Sequence, residues 1–299
     1  MNNYIGELAA LLTAISWSFT SIFFTIAAKR IGSLNVNKIR LYFASLMLLT
    51  AQFVLYGNII PIHVESNRWL WLGVSGIIGL VLGDSMLLQA FVLIGTRLSM
   101  LLMSLVPIIS TILAWIFLNE TLTPIEILAI ILTISGISWV ILEKVNKKNE
   151  SHHSKLRTGI LFGLGGAFGQ ALGLIAAKKG MYGDFPALTA TLMRILVASS
   201  IFLFYGTIKK LIHPPKITDK LKSALLPIFG GSFFGPFIGI WLSLIAIKYA
   251  NIGIASTLMA LPPIFLLPLT RLIFKEKVSW RSLFGTVVAV GGVAMIFLF

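Results

Sequence analysis

The sequence predicts an all-α integral membrane protein whose ten transmembrane helices form two inverted five-helix repeats. This fold class rests on a strongly apolar composition, ten apolar runs of membrane-spanning length, and an internal repeat. Of the 299 residues, 57% are hydrophobic and 11% are charged, and the mean hydropathy is +0.95. Soluble globular chains carry roughly 25% charged residues, so this chain has too little polar surface to face water on every side.

Each predicted span meets the requirement of about 20 mostly apolar residues to cross the hydrocarbon layer of a bilayer. The first apolar run continues far beyond the h-region of a signal peptide, so we interpret it as the first span. Ten spans leave little chain for a soluble catalytic domain. In order, the predicted spans cover residues 5–28, 39–57, 69–93, 97–118, 124–143, 157–178, 187–206, 224–247, 251–274 and 280–299.

A polar stretch at the midpoint separates two groups of five spans. We therefore divide the chain into a first five-helix repeat (1–145), a linker (146–156) and a second five-helix repeat (157–299). The loops after odd-numbered spans contain 17 Lys and Arg residues, against 4 in the loops on the opposite face. The positive-inside rule then predicts both termini outside and a cytoplasmic linker, in a multi-pass protein of the cell (plasma) membrane. These loops also explain the net charge of +14 without a nucleic-acid partner.

The two halves of the chain match in a constant register. Scattered Leu and Ile matches would follow from composition alone, but matched Pro, Glu, Arg and Gly would not. Because five spans is an odd number, the second half must enter the membrane in the opposite sense, which makes the repeats inverted. At an offset of 156 the matched pairs include Gly79/Gly235, Gly83/Gly239, Met103/Met259, Pro107/Pro263, Glu120/Glu276 and Gly136/Gly292, and at an offset of 154 they include Arg40/Arg194, Ala44/Ala198 and Ser45/Ser199.

Four stretches carry a family resemblance, which covers nearly the whole chain, twice over. They are the early helix LLTAISWSFTSIF (11–23), the pattern GLVLGDSMLLQAF (79–91), and the paired tails PIISTILAWIFLNETLT (107–123) and PIFLLPLTRLIFKEKVS (263–279). With Arg40 and Arg194, these stretches resemble the drug/metabolite transporter superfamily in its ten-span EamA-type branch. The resemblance implies a helical basket around a central cavity and export of small metabolites such as amino acids.

Asp84 is the most informative candidate, because it is an acid deep inside a predicted span. A charged side chain at the centre of a membrane helix costs about 2.5–3.5 kcal/mol on insertion scales, so Asp84 should face a cavity or a partner. Our hypothesis is a proton-coupling or substrate-amine site. The alternative is a buried acid hydrogen-bonded to hydroxyls, where it stabilises a helix break at Gly83. The second half has no matching acid, since Ile240 follows Gly239 there.

Arg40 and Arg194 occupy matched positions near the starts of spans 2 and 7. Both could line the cavity and hold an anionic group, or pair with Asp84 across the bundle. The alternative is that each side chain extends to the membrane interface and leaves its charge in water.

Polar and aromatic residues midway along the spans are candidates for a substrate-binding wall. An aromatic ring beside a polar side chain would suit this role, although packing or contact with lipid explains a membrane Trp equally well. The candidates are Ser16, Trp17, Tyr42, Gln170 and Trp241.

Two methionine–proline pairs, Met103 with Pro107 and Met259 with Pro263, predict kinks in spans 4 and 9. Proline removes an intrahelical hydrogen bond and bends the helix, so paired kinks at the repeat interface suit gating, although a purely structural kink is as plausible. Glu120 and Glu276 are interpreted as loop-capping residues. The GxxxG-spaced glycines of spans 3 and 8 are expected to mark tight helix contacts.

Intramembrane catalysis is the rival function and lacks its essential groups. A serine nucleophile at Ser75 would need a base, but all four histidines lie in predicted loops, and an aspartyl site would need a second membrane acid. The chain has no cysteine and no ATP-binding P-loop motif. We therefore expect a secondary-active transporter, not an enzyme, with no metal or cofactor and no obligatory protein partner, acting on a small-molecule substrate in the lipid bilayer. A lipid flippase or a membrane receptor is the alternative.

Overall fold

The computed structural model describes residues 4–61, 64–118, 124–146, 150–212, 219–249, 258–275 and 279–298. The regular elements within these ranges are all helical. In the first half they are α1 (Ile5–Ile31), α2 (Ser33–Tyr56), α3 (Ser66–Ser75), the π-helical segment π1 (Gly76–Gly83), α4 (Asp84–Ile94), α5 (Thr96–Met103), α6 (Leu105–Leu118) and α7 (Pro124–Asn146). In the second half they are α8 (Glu150–Gly180), α9 (Ala187–Ile212), α10 (Asp219–Ser232), the π-helical segment π2 (Phe233–Gly239), α11 (Ile240–Tyr249), α12 (Pro262–Phe274) and α13 (Trp280–Leu298).

Six of the helical runs are long and apolar enough to cross a membrane. They coincide with predicted spans 1, 2, 3, 6, 7 and 8. Four shorter apolar helices, of 10–17 residues, lie at predicted spans 4, 5, 9 and 10. The regular structure of the described residues is therefore all helical, with helices long and apolar enough to cross a membrane in both halves.

Several helices extend past their predicted apolar spans, and two of these extensions bear on the predicted site and linker. The second helix begins at Ser33 instead of residue 39, which places Arg40 two turns inside it. Helix α8, which contains predicted span 6, begins at Glu150, so most of the predicted 146–156 linker is helical. This linker contains neither Gly nor Pro, and Leu156 packs into a hydrophobic cluster with Ile94 and Leu98. Such packing favours a helix over a coil.

Single glycines join consecutive helices within the first half. Gly32 links α1 to α2 at φ 85°, and Gly95 links α4 to α5 at φ 82°. L side chains rarely adopt these dihedral angles, so glycine is required there. The Gly32 N–H also donates to the carbonyl of Ala28 and closes the end of α1.

Both halves contain a π-helical segment at the same repeat position, a feature the sequence analysis missed. Gly83 and Gly239, the matched glycines at an offset of 156, end π1 and π2 respectively. π-helical segments are rare and occur often at functional sites. Proline accounts for part of π2, because Pro236 lies inside it and has no N–H to donate. The predicted helix break at Gly83 is wrong: the chain continues from π1 directly into α4.

The third helical run of each half packs on the first helix of the other half. A Cβ added to Gly79 would lie 3.7 Å from the Cα atom of Gly173, and one added to Gly235 would lie 2.7 Å from Cγ2 of Thr20. Gly235 matches Gly79, and Thr20 matches Gly173 at the offset of 153 that relates Trp17 to Gln170. The contacts are therefore reciprocal, as a two-fold relation between the halves requires.

The last helices of the two halves, α7 and α13, show the same reciprocity. A Cβ on Gly136 would lie 2.6 Å from the carbonyl oxygen of Gly285, and one on Gly292 would lie 2.8 Å from that of Ala129. The offset of 156 relates Gly136 to Gly292 and Ala129 to Gly285, so the two contacts are equivalent. These glycines let the two helices approach until their backbones touch.

Ser45 on α2 and Ser199 on α9 are matched residues that contact each other. Their hydroxyl oxygens are 2.8 Å apart, and both side chains are buried. Two equivalent residues can meet in this way only beside the axis that relates them. The Ser45–Ser199 pair therefore locates the approximate two-fold axis between α2 and α9.

The matched prolines follow helix interruptions in both halves. Pro107 lies in the first turn of α6, after a turn at Ser104, and Pro263 lies in the first turn of α12, after a turn at Ala260. Proline cannot donate a hydrogen bond to the carbonyl four residues earlier, and those carbonyls belong to Met103 and Met259. The helix is thus interrupted just before each proline.

Candidate functional site

The carboxylate of Asp84 is held from two sides at the junction of π1 and α4. Its Oδ2 forms an ion pair with Nη2 of Arg40, from α2. Its Oδ1 accepts a hydrogen bond from Nε2 of Gln170, from α8. Asp84 is only 7% exposed. Its partners are a guanidinium and an amide, so the alternative of hydroxyl partners is wrong. The Arg40–Asp84–Gln170 contact also joins the two halves of the chain.

Arg40 is buried and bonded, so the interface-extended alternative is wrong for this residue. It is 5% exposed. Its Nε donates to Oδ1 of Asn37 at 2.7 Å, and its guanidinium carbon lies 5.3 Å from the ring centre of Phe24. Hydrogen bonds at Nε and Nη2 fix the orientation of the guanidinium plane against Asp84.

Asn37 belongs to the site, although the sequence analysis missed it. It is fully buried, and its Nδ2 donates to the Leu80 carbonyl at 2.9 Å and to Ser85 Oγ at 2.8 Å. The Leu80 carbonyl lies within π1, where the regular i to i−4 pattern is interrupted. The spacing from Asn37 to Arg40 puts both side chains on one helix face, which is the signal that could have identified it.

Gln170 also connects α8 to π1. Besides Asp84, its Nε2 is 3.3 Å from the carbonyl oxygen of Gly79. A Cβ on Gly83 would lie 3.3 Å from the backbone nitrogen of Gln170. The glycines of π1 thus bring α8 close enough for its amide to reach the carboxylate.

Arg194 occupies the position that matches Arg40, in different surroundings. It is 3% exposed, so the interface-extended alternative is wrong here too. Its Nη2 lies 3.6 Å from the point where a Cβ on Gly79 would stand, and Oε1 of Gln170 lies 3.9 Å from the same point. The guanidinium therefore approaches the site from α9, beside Gly79 and Gln170. Its Nε is buried and has no hydrogen-bond partner within the described ranges.

The predicted aromatic wall falls into two separate packing clusters. Trp17 packs against the cluster that contains Phe24 and Leu88, and a Cβ on Gly239 would lie 2.8 Å from its indole. Tyr42 and Trp241 pack together with other residues against a second cluster between α2 and α9. All three rings are partly buried, whereas Ser16 on α1 is buried at 7% exposure.

The methionines at the helix interruptions pack in hydrophobic surroundings. Met103 packs against a cluster that includes Ala167 and Ala171 of α8, and Met259 packs against one that includes Ala9 of α1. Each methionine thus lies against the first helix of the opposite half. Glu120 and Glu276 lie outside the described residues.

At one end of the bundle, an aromatic clamp joins the first turn of α3 to the segment after α8. The guanidinium of Arg68 lies 3.7 Å from the ring centre of Tyr182 and 4.7 Å from that of Phe185. Its Nη1 donates to the Tyr182 carbonyl at 2.8 Å, and the Tyr182 hydroxyl donates to Glu65. This clamp again connects the two halves.

A separate groove of about 640 Å³ lies between α3–π1 and α9. Apart from Ser200, its lining is apolar or aromatic, and it includes none of the candidate site residues. The described residues contain no group of three or more His, Cys, Asp or Glu side chains placed to hold a metal ion.

Comparison with known proteins agrees with the resemblance in the sequence. The EamA-like transporter family matches the chain twice, at residues 4–142 and 157–298. A solved structure titled only "Crystal structure of protein" superposes with a TM-score of 0.69 at 14% identity, over 98% of this chain and 96% of that one, a likeness that shows the fold alone. No curated protein sequence matches the chain. Since the family match covers nearly the whole sequence, the chain belongs to the EamA-like transporter family, within the drug/metabolite transporter superfamily.

Proposed function

We propose that this membrane protein is a secondary-active transporter that exports a small metabolite, an amino acid or a related compound, across the plasma membrane. In this proposal ten spans form two inverted five-helix repeats (1–145 and 157–299) around a central cavity. The family membership supports transport in general. The substrate, the outward direction and proton coupling are the additional parts of the proposal.

The observation that carries the proposal is the double contact of Asp84. One carboxylate oxygen is bound within its own repeat by Arg40, and the other is bound by Gln170 of the opposite repeat. A rocking motion of one repeat against the other must make and break this second bond. Charged groups inside a membrane protein are rare and mark substrate or proton pathways, and transporter sites lie at the repeat interface.

The reciprocal contacts support the inverted arrangement. A two-fold axis relates two halves that each contain five predicted spans. Because five is an odd number of spans, the halves enter the membrane in opposite senses, and the axis lies in the plane of the membrane. The loop charges then favour both termini outside and residues 146–156 in the cytoplasm. In this orientation the Arg68–Tyr182 clamp closes the outer face.

Proton coupling through Asp84 would follow from the same geometry. Arg40 and Gln170 each bind one oxygen of the carboxylate, so proton uptake at Asp84 would compete with these two contacts. Release of Gln170 would accompany separation of the repeats. The helix interruptions before Pro107 and Pro263 supply points at which spans 4 and 9 could bend during this motion.

Flux into proteoliposomes under an imposed proton gradient tests the proposal. The panel would contain amino acids, nucleosides, sugars and organic cations, and we expect saturable flux of one class. We expect Asp84→Asn to lose the dependence on the proton gradient while it retains the elution profile of a folded protein. Unchanged gradient-driven flux in this variant would remove the coupling hypothesis. No flux of any class, together with translocation of a labelled lipid, would favour the flippase alternative.

A further inference from the structure

We infer that Arg194 is the anchor for an anionic group, a carboxylate, on the transported molecule. This inference rests on the proposed transport function and names the chemistry of its substrate. Arg40 and Arg194 occupy one repeat position but lie in different environments.

Neither acceptor that serves Arg40 has a counterpart for Arg194. At the matched positions, Asn37 is replaced by Thr191, and Asp84 is replaced by Ile240. The Thr191 hydroxyl donates to a carbonyl of its own helix at 2.9 Å. The second repeat therefore keeps the cation without the groups that neutralise and orient it in the first.

The buried cluster consequently carries more positive than negative charge. Arg40 and Arg194 are 5% and 3% exposed, and Asp84, which is 7% exposed, forms its ion pair with Arg40. Its two oxygens are already bonded to Arg40 and Gln170. Buried charges in proteins are normally paired, because an unpaired one is expensive to remove from water. An anionic ligand would supply the missing negative charge.

The Nε–Nη2 edge of the buried Arg194 guanidinium has the shape that a carboxylate needs. Nε has no hydrogen-bond partner among the described residues, and Nη2 faces Gly79, which has no side chain to cover it. These two nitrogens form one edge of the planar fork that binds a carboxylate through two parallel hydrogen bonds. The neighbouring Gln170 amide and Asp84 carboxylate could then receive the polar remainder of the molecule.

Matched ligand pairs test this inference. Purified protein in phosphatidylcholine nanodiscs, which contain no anionic lipid, would be titrated with N-acetyl amino acids and their amides, and with free amino acids and the corresponding amino alcohols. Binding would be measured by thermal shift and by competition with the radiolabelled compound that shows saturable flux in proteoliposomes. We expect the carboxylate member of a pair to bind about tenfold or more tightly than its partner. Arg194→Gln should remove this preference, and Arg194→Lys should restore part of it.

Arg40→Gln is the matched control for a merely structural role. Because Arg194 neutralises no protein group alone, Arg194→Gln should leave the apparent Tm unchanged or raised, whereas Arg40→Gln should lower it. Equal binding of carboxylate and neutral partners, or a carboxylate preference retained in Arg194→Gln, would overturn the inference. Flux in proteoliposomes would in that case still support the transport proposal. An equal fall in Tm for both variants would also overturn it. Absence of both binding and flux for every probe would contradict the transport proposal itself.

Discussion

Arg40→Gln should be among the most destabilising single changes in this protein. The side chains of Arg40 and Asp84 are only 6% and 10% exposed. Removing one partner of a buried pair leaves a buried charge uncompensated and costs about 3–5 kcal/mol. At about 2–4 °C of Tm per kcal/mol, the apparent Tm in detergent should fall by roughly 6–20 °C.

The double variant Arg40→Gln with Asp84→Asn separates the ion pair from general packing. With both charges removed, no uncompensated charge remains, so most of the lost stability should return. The assay is thermal unfolding followed by loss of the monodisperse elution peak, arranged as a double-mutant cycle. Additive losses in the double variant would refute the reasoning, because they would show that the two residues contribute independently.

Three further predictions test the packing around the site. Gly76→Ala should lower the free energy of unfolding by about 1–3 kcal/mol, because its Cβ would lie 2.3 Å from a backbone carbonyl oxygen of α9. Gly79→Ala should be tolerated, because the nearest atom to its Cβ would be 3.6 Å away. Equal unfolding midpoints for the two variants would contradict this. Ser45→Cys with Ser199→Cys should form a disulfide in this cysteine-free chain, so that halves cleaved at the linker stay joined on a non-reducing gel and separate after reduction. Arg68→Ala should lower the free energy of unfolding by about 1–3 kcal/mol through lost ring contacts and hydrogen bonds. Arg68→Lys should recover less than half of this lost stability, and full recovery would show that the positive charge alone stabilises the clamp.

The charged and polar residues of the site could be identified from the sequence, because they lie within apolar runs. Asp84, Arg40, Arg194 and Gln170 stand out because polar groups are costly in a membrane and must find partners. The structure brings all four together. The register of the repeat likewise contained the Ser45–Ser199 match that proved to lie beside the two-fold axis.

The remaining features depend on tertiary contacts that local patterns do not encode. Segment π1 packs through its glycines closely against α8, and Asn37 enters the site through bonds to the Leu80 carbonyl and to Ser85 and Arg40. Trp17 and Trp241 both suited a binding wall, yet pack in different clusters, since an aromatic residue in a membrane helix fits a packing role equally well.

We propose that the Arg40–Asp84–Gln170 group lies on a pathway that opens alternately to the two sides of the membrane. Ser85→Cys tests it most directly, because Ser85 bonds to Asn37 within the site and the chain has no other cysteine. An impermeant thiol reagent should label this variant from either side of oriented vesicles, and a transported substrate should change the ratio of the two rates. Labelling from one side alone, with or without substrate, would contradict the account.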